Sequence, residues 1–330
     1  MIQHPAVIAL LAASLVTSGF LGYAAFHGSR ILRHWNLKSG SELQLSLERR
    51  TYLISALLSL VLAFQFLSLF LFIFTADALH SRLTGAMCAA GTLNATPFGY
   101  PALLLKIAVA LLAGCWLILN HADTRGYDYP LIRRIYGLLN LLAPLALLEA
   151  VCTLLHFRGL TPAVITSCCG SLFSQGGGGL ASEVASLPAV PMRAVFFTAL
   201  AADLLCGAVF IRSGRLGRMF SLLSCGSFFV SAAALVSFIC LYIYELPTHH
   251  CPFCILQKEY GYIGYLLYSL LLAGGVSGAG VGILMPFREE ESLKKLLPYF
   301  QRRLAAVALA CQVAFALLVI WKMLATEFRL

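Results

Sequence analysis

The chain has 330 residues, 60% of them hydrophobic and only 11% charged, with a formal net charge of +9. A soluble domain carries roughly 45–50% apolar and about 25% charged residues, so this composition, with a mean hydropathy of +0.87, excludes a water-soluble globule and specifies a polytopic membrane protein. The positive charge does not indicate nucleic acid, and no nucleic-acid partner is expected, because Lys and Arg gather in alternate loops between apolar segments.

A helix needs about 20 apolar residues to cross a hydrocarbon core roughly 30 Å thick. Eight stretches meet that length, near 5–27, 52–79, 99–120, 132–156, 191–211, 218–245, 260–285 and 304–325. The expected fold is therefore all-α, with about eight transmembrane helices embedded in a lipid bilayer. The first stretch lacks a basic leader, is longer than a signal-peptide core and is followed by a basic loop, so it reads as a spanning helix. One set of loops holds Arg30, Arg33, Lys38, Arg49, Arg50, then Arg125, Arg133, Arg134, then Arg212, Arg215, Arg218, and finally Arg288, Lys294, Lys295, Arg302 and Arg303. The other holds Arg82, Arg158, Arg193, Lys258, Lys322 and Arg329, so the split is sixteen against six. The positive-inside rule then places both termini outside, in the periplasm for a bacterial inner membrane.

The chain reads as two tandem four-helix units, 1–157 and 191–330, joined by an extracytoplasmic Cys/Gly-rich linker over 158–190. In each unit the second helix ends in an aromatic run and a His: Phe70 to Phe74 with His80, and Phe238 to Tyr242 with His249. A cysteine-bearing outside loop follows in each. A Gly-Tyr pair then heads the third helix, Gly99-Tyr100 and Gly261-Tyr262, and an Arg pair opens the fourth, Arg133-Arg134 and Arg302-Arg303. Parallel repeats of this kind are common in membrane folds. The Gly176–Gly179 run inside the linker has no intrinsic conformational preference and reads as a flexible tether.

Of eleven cysteines, Cys88, Cys168, Cys169, Cys251 and Cys254 fall in outside loops. Cys115, Cys152, Cys206, Cys225, Cys240 and Cys311 lie within apolar helices, where cysteine behaves as a small hydrophobe. The reactive candidates thus all face the side where disulfides persist. Cys251-Pro252-Phe253-Cys254, preceded by His249-His250, is the sharpest signal. A helix beginning at this motif would set one thiol at its positive end and favour the thiolate that attacks disulfides or binds metal. The motif alone leaves three readings open: a redox-active pair, a soft-metal ligand set and a static disulfide. Adjacent Cys168 and Cys169 have Cα atoms about 3.8 Å apart, below the usual disulfide span, so a bond between them would be strained. Pairing Cys88 with one of them is easier, and connectivity is not readable from sequence.

The stretch Cys251-Pro252-Phe253-Cys254-Ile255-Leu256-Gln257-Lys258 resembles the C-x-x-C-x-x-Gln-Arg signature of DsbB-type membrane oxidoreductases, and its Cys-Pro-x-Cys form is similar to that of bacterial vitamin K epoxide reductase homologues. The resemblance implies a four-helix bundle passing electrons from periplasmic thiols to quinone. It implies that Cys251 and Cys254 are the quinone-proximal pair, with Gln257 and Lys258 near the quinone head group. Lys258 stands where that family keeps Arg, and 218–330 supplies no second cysteine pair in an outside loop. The exchange pair must then come from Cys88, Cys168 and Cys169.

Charges inside spans complete the reading. Lys106 and Glu149 lie at equal depth and are expected to pair, since lone charges in hydrocarbon are costly; Asp203 lies deeper, as a structural partner or a proton-path acid. The leading expectation is a quinone-linked thiol–disulfide oxidoreductase. Its catalytic set is Cys251, Cys254, Cys88, Cys168 and Cys169, with Gln257, Lys258, His249 and His250 beside the quinone. Its partner is an extracytoplasmic thiol protein, and it holds no tightly bound cofactor. The alternatives are a soft-metal transporter or chaperone, or a structural subunit of a respiratory or cytochrome complex.

Overall fold

A computed structural model of the chain describes residues 1–36, 39–161 and 180–328, with side chains from 183 onward in the last stretch. The fold is all-α, and no strand occurs among the described residues. In chain order the helices are α1 (Pro5–His34), α2 (Glu42–Ala78), the short α3 (Ala89–Asn94), α4 (Gly99–Asp123) and α5 (Ile132–Gly159). There follow the short α6 (Leu180–Ala185), α7 (Ala189–Ser213), α8 (Gly217–Ala234), α9 (Cys240–Tyr244), α10 (Ile263–Leu284) and α11 (Leu297–Ala325). A π turn over Leu235–Ile239 joins α8 to α9, so the two form one continuous span.

Among the described residues eight helices are long and apolar enough to cross a membrane, and the protein is a multi-pass membrane protein. Leu15, Leu60, Leu205, Leu222 and Phe229, all within spans, are each 69–74% exposed, a surface suited to acyl chains rather than water. The helices outrun the apolar stretches that announce them. Thus α2 begins at Glu42 and takes in Glu48, Arg49 and Arg50, and α11 begins at Leu297 and takes in Arg302 and Arg303. Backbone hydrogen bonding continues into the polar flank, where a hydropathy pattern has already ended.

The described residues divide into two compact units. The first comprises the described parts of Met1–Thr75, Thr96–Thr161 and Phe287–Leu297. Here α5 packs on both α1 and α4, and Leu10, Leu21, Leu58, Phe72, Trp116, Tyr136 and Phe157 are fully or almost fully buried. The Lys106–Glu149 pair forms in its interior, Nζ to Oε1 at 2.7 Å, with both side chains 2% exposed. Lys106 Nζ also donates to Ser68 Oγ at 3.0 Å and lies over the Phe72 ring, and Thr153 Oγ1 donates to Glu149 Oε1 at 3.0 Å.

The second unit comprises Ala76–Ala95 with the described parts of Pro162–Pro286 and Pro298–Leu330. Within it α8 packs on α7 and α10. The α8–α10 seam is made of small residues: a Cβ added at Gly275, Gly278 or Gly282 would collide with Phe228, Ser224 or Ser221. Such stripes let helix backbones approach closely where lipid gives no hydrophobic drive for helix association. Below the seam, the Phe210 and Phe220 rings stack at 6.0 Å against Val281, Ala305 and Ala308. Gly214 ends α7 in the left-handed region (φ 71°), its N–H returning to the Phe210 carbonyl at 2.8 Å.

Removing one member of a buried ion pair strands the other. Lys106→Met should therefore cost about 3–5 kcal/mol and lower the thermal midpoint in detergent. The double variant Lys106→Met/Glu149→Leu should recover most of that loss, and equal damage in both would show that the pair is not the stabilising element.

Candidate functional site: a three-thiol cluster

The cluster lies entirely within the second unit. After Tyr244 the chain leaves the helix through Glu245 at φ 57° and runs through Leu246–His250 to the Cys-Pro-Phe-Cys motif. The motif does not open a helix. Cys254–Leu256 and Lys258–Tyr260 form two separate 3-10 turns, and α10 starts only at Ile263. Gly261 and Tyr262, at φ 64° and 56°, reverse the backbone before a helix can form. No helix dipole therefore acts on either thiol.

Aromatic residues of the neighbouring spans fix the motif instead. The Tyr244 hydroxyl donates to the Cys251 carbonyl, and the Tyr268 hydroxyl to the Pro252 carbonyl at 2.7 Å. The Tyr244 ring is flanked edge-on by His249 and Tyr260, with centroids 4.5 and 4.7 Å away. His250 is buried and donates from Nδ1 to the Val236 carbonyl within the π turn, at 2.9 Å. A π turn interrupts the regular i→i−4 ladder, and His250 ties the loop to the helix there.

The third thiol arrives from a distant part of the sequence. Gly85, at φ 85°, turns the chain back after α2, and Cys88 follows in extended conformation at the head of α3. Asp77, in the last turn of α2, accepts from the Ala89 N–H at 3.1 Å and from Gln257 Nε2 at 3.0 Å on the same oxygen. Gln257 Nε2 also donates to the Met87 carbonyl at 3.1 Å. His80 donates from Nδ1 to the Asp77 carbonyl. This clamp brackets Cys88 on both sides and holds its Sγ 3.7 Å from that of Cys251. The Cys88, Cys251 and Cys254 sulfurs lie within 4.8 Å of one another, and all three residues are buried.

The surroundings favour the neutral forms of His249 and Tyr260. Burial pushes His249 below the ordinary imidazole range; a Cys88 thiolate opposes that shift and His250 adds to it. Burial likewise raises Tyr260, followed by the charges of Cys254, Glu259 and Cys251. At neutral pH the cluster thus faces an uncharged imidazole and a protonated phenol. Chemically, three sulfurs at these separations can exchange one disulfide among themselves or hold a soft metal ion in a trigonal thiolate set.

Of the residues singled out from sequence, Cys88, Cys251 and Cys254 come together, with His249 beside them. His250 and Gln257 have structural attachments, and Lys258 is exposed in its turn. Cys168 and Cys169, with most of the 158–190 segment, lie outside the described residues. Sequence reasoning passed over Asp77, Tyr244 and Tyr268. Asp77 had a signal, since it is the one acid between Glu48 and Asp123 in the sequence.

No protein-family model matches this chain, nor does any curated protein or solved structure.

If the clamp sets the Cys88–Cys251 distance, Gln257→Leu should slow diamide-driven formation of the Cys88–Cys251 disulfide about tenfold or more, the scale of a lost hydrogen bond to a charged group. Peptide mapping of the oxidised protein measures this. An unchanged rate would mean that loop packing, not the clamp, positions the thiol.

Proposed function

We propose that this protein is a membrane thiol–disulfide oxidoreductase, oxidising an extracytoplasmic dithiol and passing the electrons to a membrane quinone. The observation that carries the reading is the placement of Cys88 Sγ 3.7 Å from Cys251 Sγ, with Cys254 in the same cluster. Cys251 is then shared between two alternative disulfides. The likeness of residues 251–258 to the DsbB-type and vitamin K epoxide reductase signatures supports the same chemistry. The excess of Lys and Arg in alternate loops supports a bacterial inner-membrane location with both termini periplasmic.

The cycle balances in electrons and protons. In the resting protein Cys88 and Cys251 are joined and Cys254 is a thiol. A partner thiolate attacks Cys88, forms a mixed disulfide and releases Cys251 as thiolate. The partner's second thiol resolves that bond, leaving with its own disulfide and returning Cys88 as a thiol. Cys251 and Cys254 then give two electrons and two protons to quinone, forming quinol and the Cys251–Cys254 disulfide. Finally the Cys88 thiolate attacks Cys251 and frees Cys254, restoring the start. His249, neutral beside Cys88, serves as the local proton acceptor. Gln257 acts in this scheme by holding Cys88 in register, its amide N–H already engaged by Asp77 and Met87.

A second reading draws on the same three sulfurs: a trigonal thiolate site for Cu(I) in metal handling. Purified protein given a dithiol peptide and a soluble quinone analogue discriminates between the two. Quinone reduction should be lost in each of Cys88→Ser, Cys251→Ser and Cys254→Ser, and persist in Cys311→Ser. Turnover that survives in both Cys251→Ser and Cys254→Ser removes the oxidoreductase reading. Stoichiometric copper in the native protein, lost with Cys251→Ser, establishes the metal reading in its place.

A further inference from the structure

The first unit holds a cavity that the thiol chemistry does not use. Its volume is about 580 Å³, and it lies among the first half of α2, the last turns of α4 and the first turns of α5. Sites for small organic molecules typically span roughly 300–1,000 Å³. Aromatic rings make up much of the lining: Trp116 and Tyr136 are buried there, while Tyr52 and Tyr129 stand exposed. Trp35 meets Tyr129 edge-on at 6.4 Å. One polar wall is satisfied within itself, since Ser55 Oγ donates to Asn120 Oδ1 at 2.6 Å and Asn120 Nδ2 to Ser59 Oγ at 3.1 Å. Trp116 is not: it is fully buried, and its indole N–H meets no partner in hydrogen-bond geometry among the described residues.

The charge of the lining is opposite to that of the chain around it. Arg49, Arg50, Arg125, Arg133 and Arg134 are close in sequence to lining residues, yet no Lys or Arg lines the cavity among the described residues. The Arg133 guanidinium donates instead to the Trp35 carbonyl at 3.1 Å. Glu48 and Asp123 supply two carboxyl groups. Asp123 is 4% exposed and accepts the Leu131 N–H on one oxygen at 2.7 Å, and the Tyr136 hydroxyl stands near both it and Thr51. Glu149, elsewhere in this unit, has Lys106 at 2.7 Å, whereas neither Glu48 nor Asp123 joins an ion pair among the described residues. A buried carboxylate without a cationic neighbour calls for a counter-charge or a proton.

We propose that this cavity binds an aromatic ammonium compound, a flat ring joined by a short chain to a protonated amine. The ammonium lies against Asp123, with Glu48 adding negative charge. Indole and phenol rings suit such a ligand in two ways, because their faces attract cations and also pack against another ring. The indole N–H of Trp116 is a donor only, so the ligand's ring carries an oxygen that accepts from it. A bare metal ion would leave Trp116 unsatisfied and most of the volume empty, and an anion would face two carboxyl groups.

The test is equilibrium dialysis of the full chain in detergent against radiolabelled tyramine, with unlabelled 4-propylphenol, in which a methyl group replaces the ammonium, as competitor. The expected result is one saturable tyramine site, for which 4-propylphenol competes at least about tenfold less well than unlabelled tyramine. Asp123→Asn, which keeps an acceptor for the Leu131 N–H, should weaken tyramine by about tenfold or more, the scale of a lost hydrogen bond to a charged group, and bring the two compounds to similar affinity. Trp116→Phe, which keeps a ring and removes the N–H, should weaken both compounds by the same few-fold factor. Thermal unfolding shows whether each variant folds, and Glu48→Gln, on a less buried side chain, supplies a second variant that removes charge. No saturable binding, equal affinities for tyramine and 4-propylphenol in the unaltered chain, or unchanged tyramine affinity in both charge-removing variants would overturn the proposal. Tyramine binding that is blocked in nanodiscs of phosphatidylethanolamine but not of phosphatidylglycerol would overturn it too, by giving the cavity to a lipid headgroup.

Discussion

Hydrocarbon offers no hydrogen bonds, so a polar side chain carried into a span must find its partner inside the protein or take one from solution. Much of this structure can be understood from that constraint. It explains why Lys106 and Glu149 meet at 2.7 Å and why Ser68 and Thr153 complete their shell. It explains why Tyr244 and Tyr268 turn their hydroxyls toward the Cys251 and Pro252 carbonyls, which lie in the loop outside any helix. The polar contacts are few, and each therefore fixes geometry that apolar packing leaves loose.

The thiol cluster shows how such contacts translate into chemistry. Exchange between disulfides requires three sulfurs near one another and a route by which the attacking thiol is held in place. Here a single carboxylate, Asp77, collects the Ala89 N–H and the Gln257 amide, so the strand of chain bearing Cys88 is fastened to the loop bearing Cys251. A carboxylate accepting two such bonds forms a stronger tether than neutral pairs provide. Neither thiol of the Cys-Pro-Phe-Cys motif opens a helix, whereas Cys88 heads the short α3. The Cys251 and Cys254 sulfurs sit among 3-10 turns and aromatic rings, with His249 at their side.

Close helix approach is the other recurrent device. Gly275, Gly278 and Gly282 set α10 against Phe228, Ser224 and Ser221 of α8. The same approach brings the α8 serines near Asp203 and Gln312 and leaves a small cavity lined by Gly274 and Gly275. Packing and polar chemistry are thus set by one stripe of small residues, where a larger side chain would both separate the helices and fill the cavity.

Local composition decided a large share of this protein. The eight spans were legible because hydropathy is additive along the chain, and the pairing of Lys106 with Glu149 because depth follows from residue count. The Cys-Pro-Phe-Cys motif was legible as chemistry, since residue type and spacing define it. What sequence could not specify was how that motif would be built and which thiol would face it. The motif is built from 3-10 turns, and α10 starts only after the left-handed Gly261 and Tyr262. Cys88 and Cys251 are 163 residues apart, and Asp77 and Gln257 are 180 apart. Contacts at that separation carry no local periodicity; they exist only once the spans have packed and brought their ends together. For the same reason the role of Gln257 in the clamp, and the company Asp203 keeps with Gln312, belong to the tertiary structure alone.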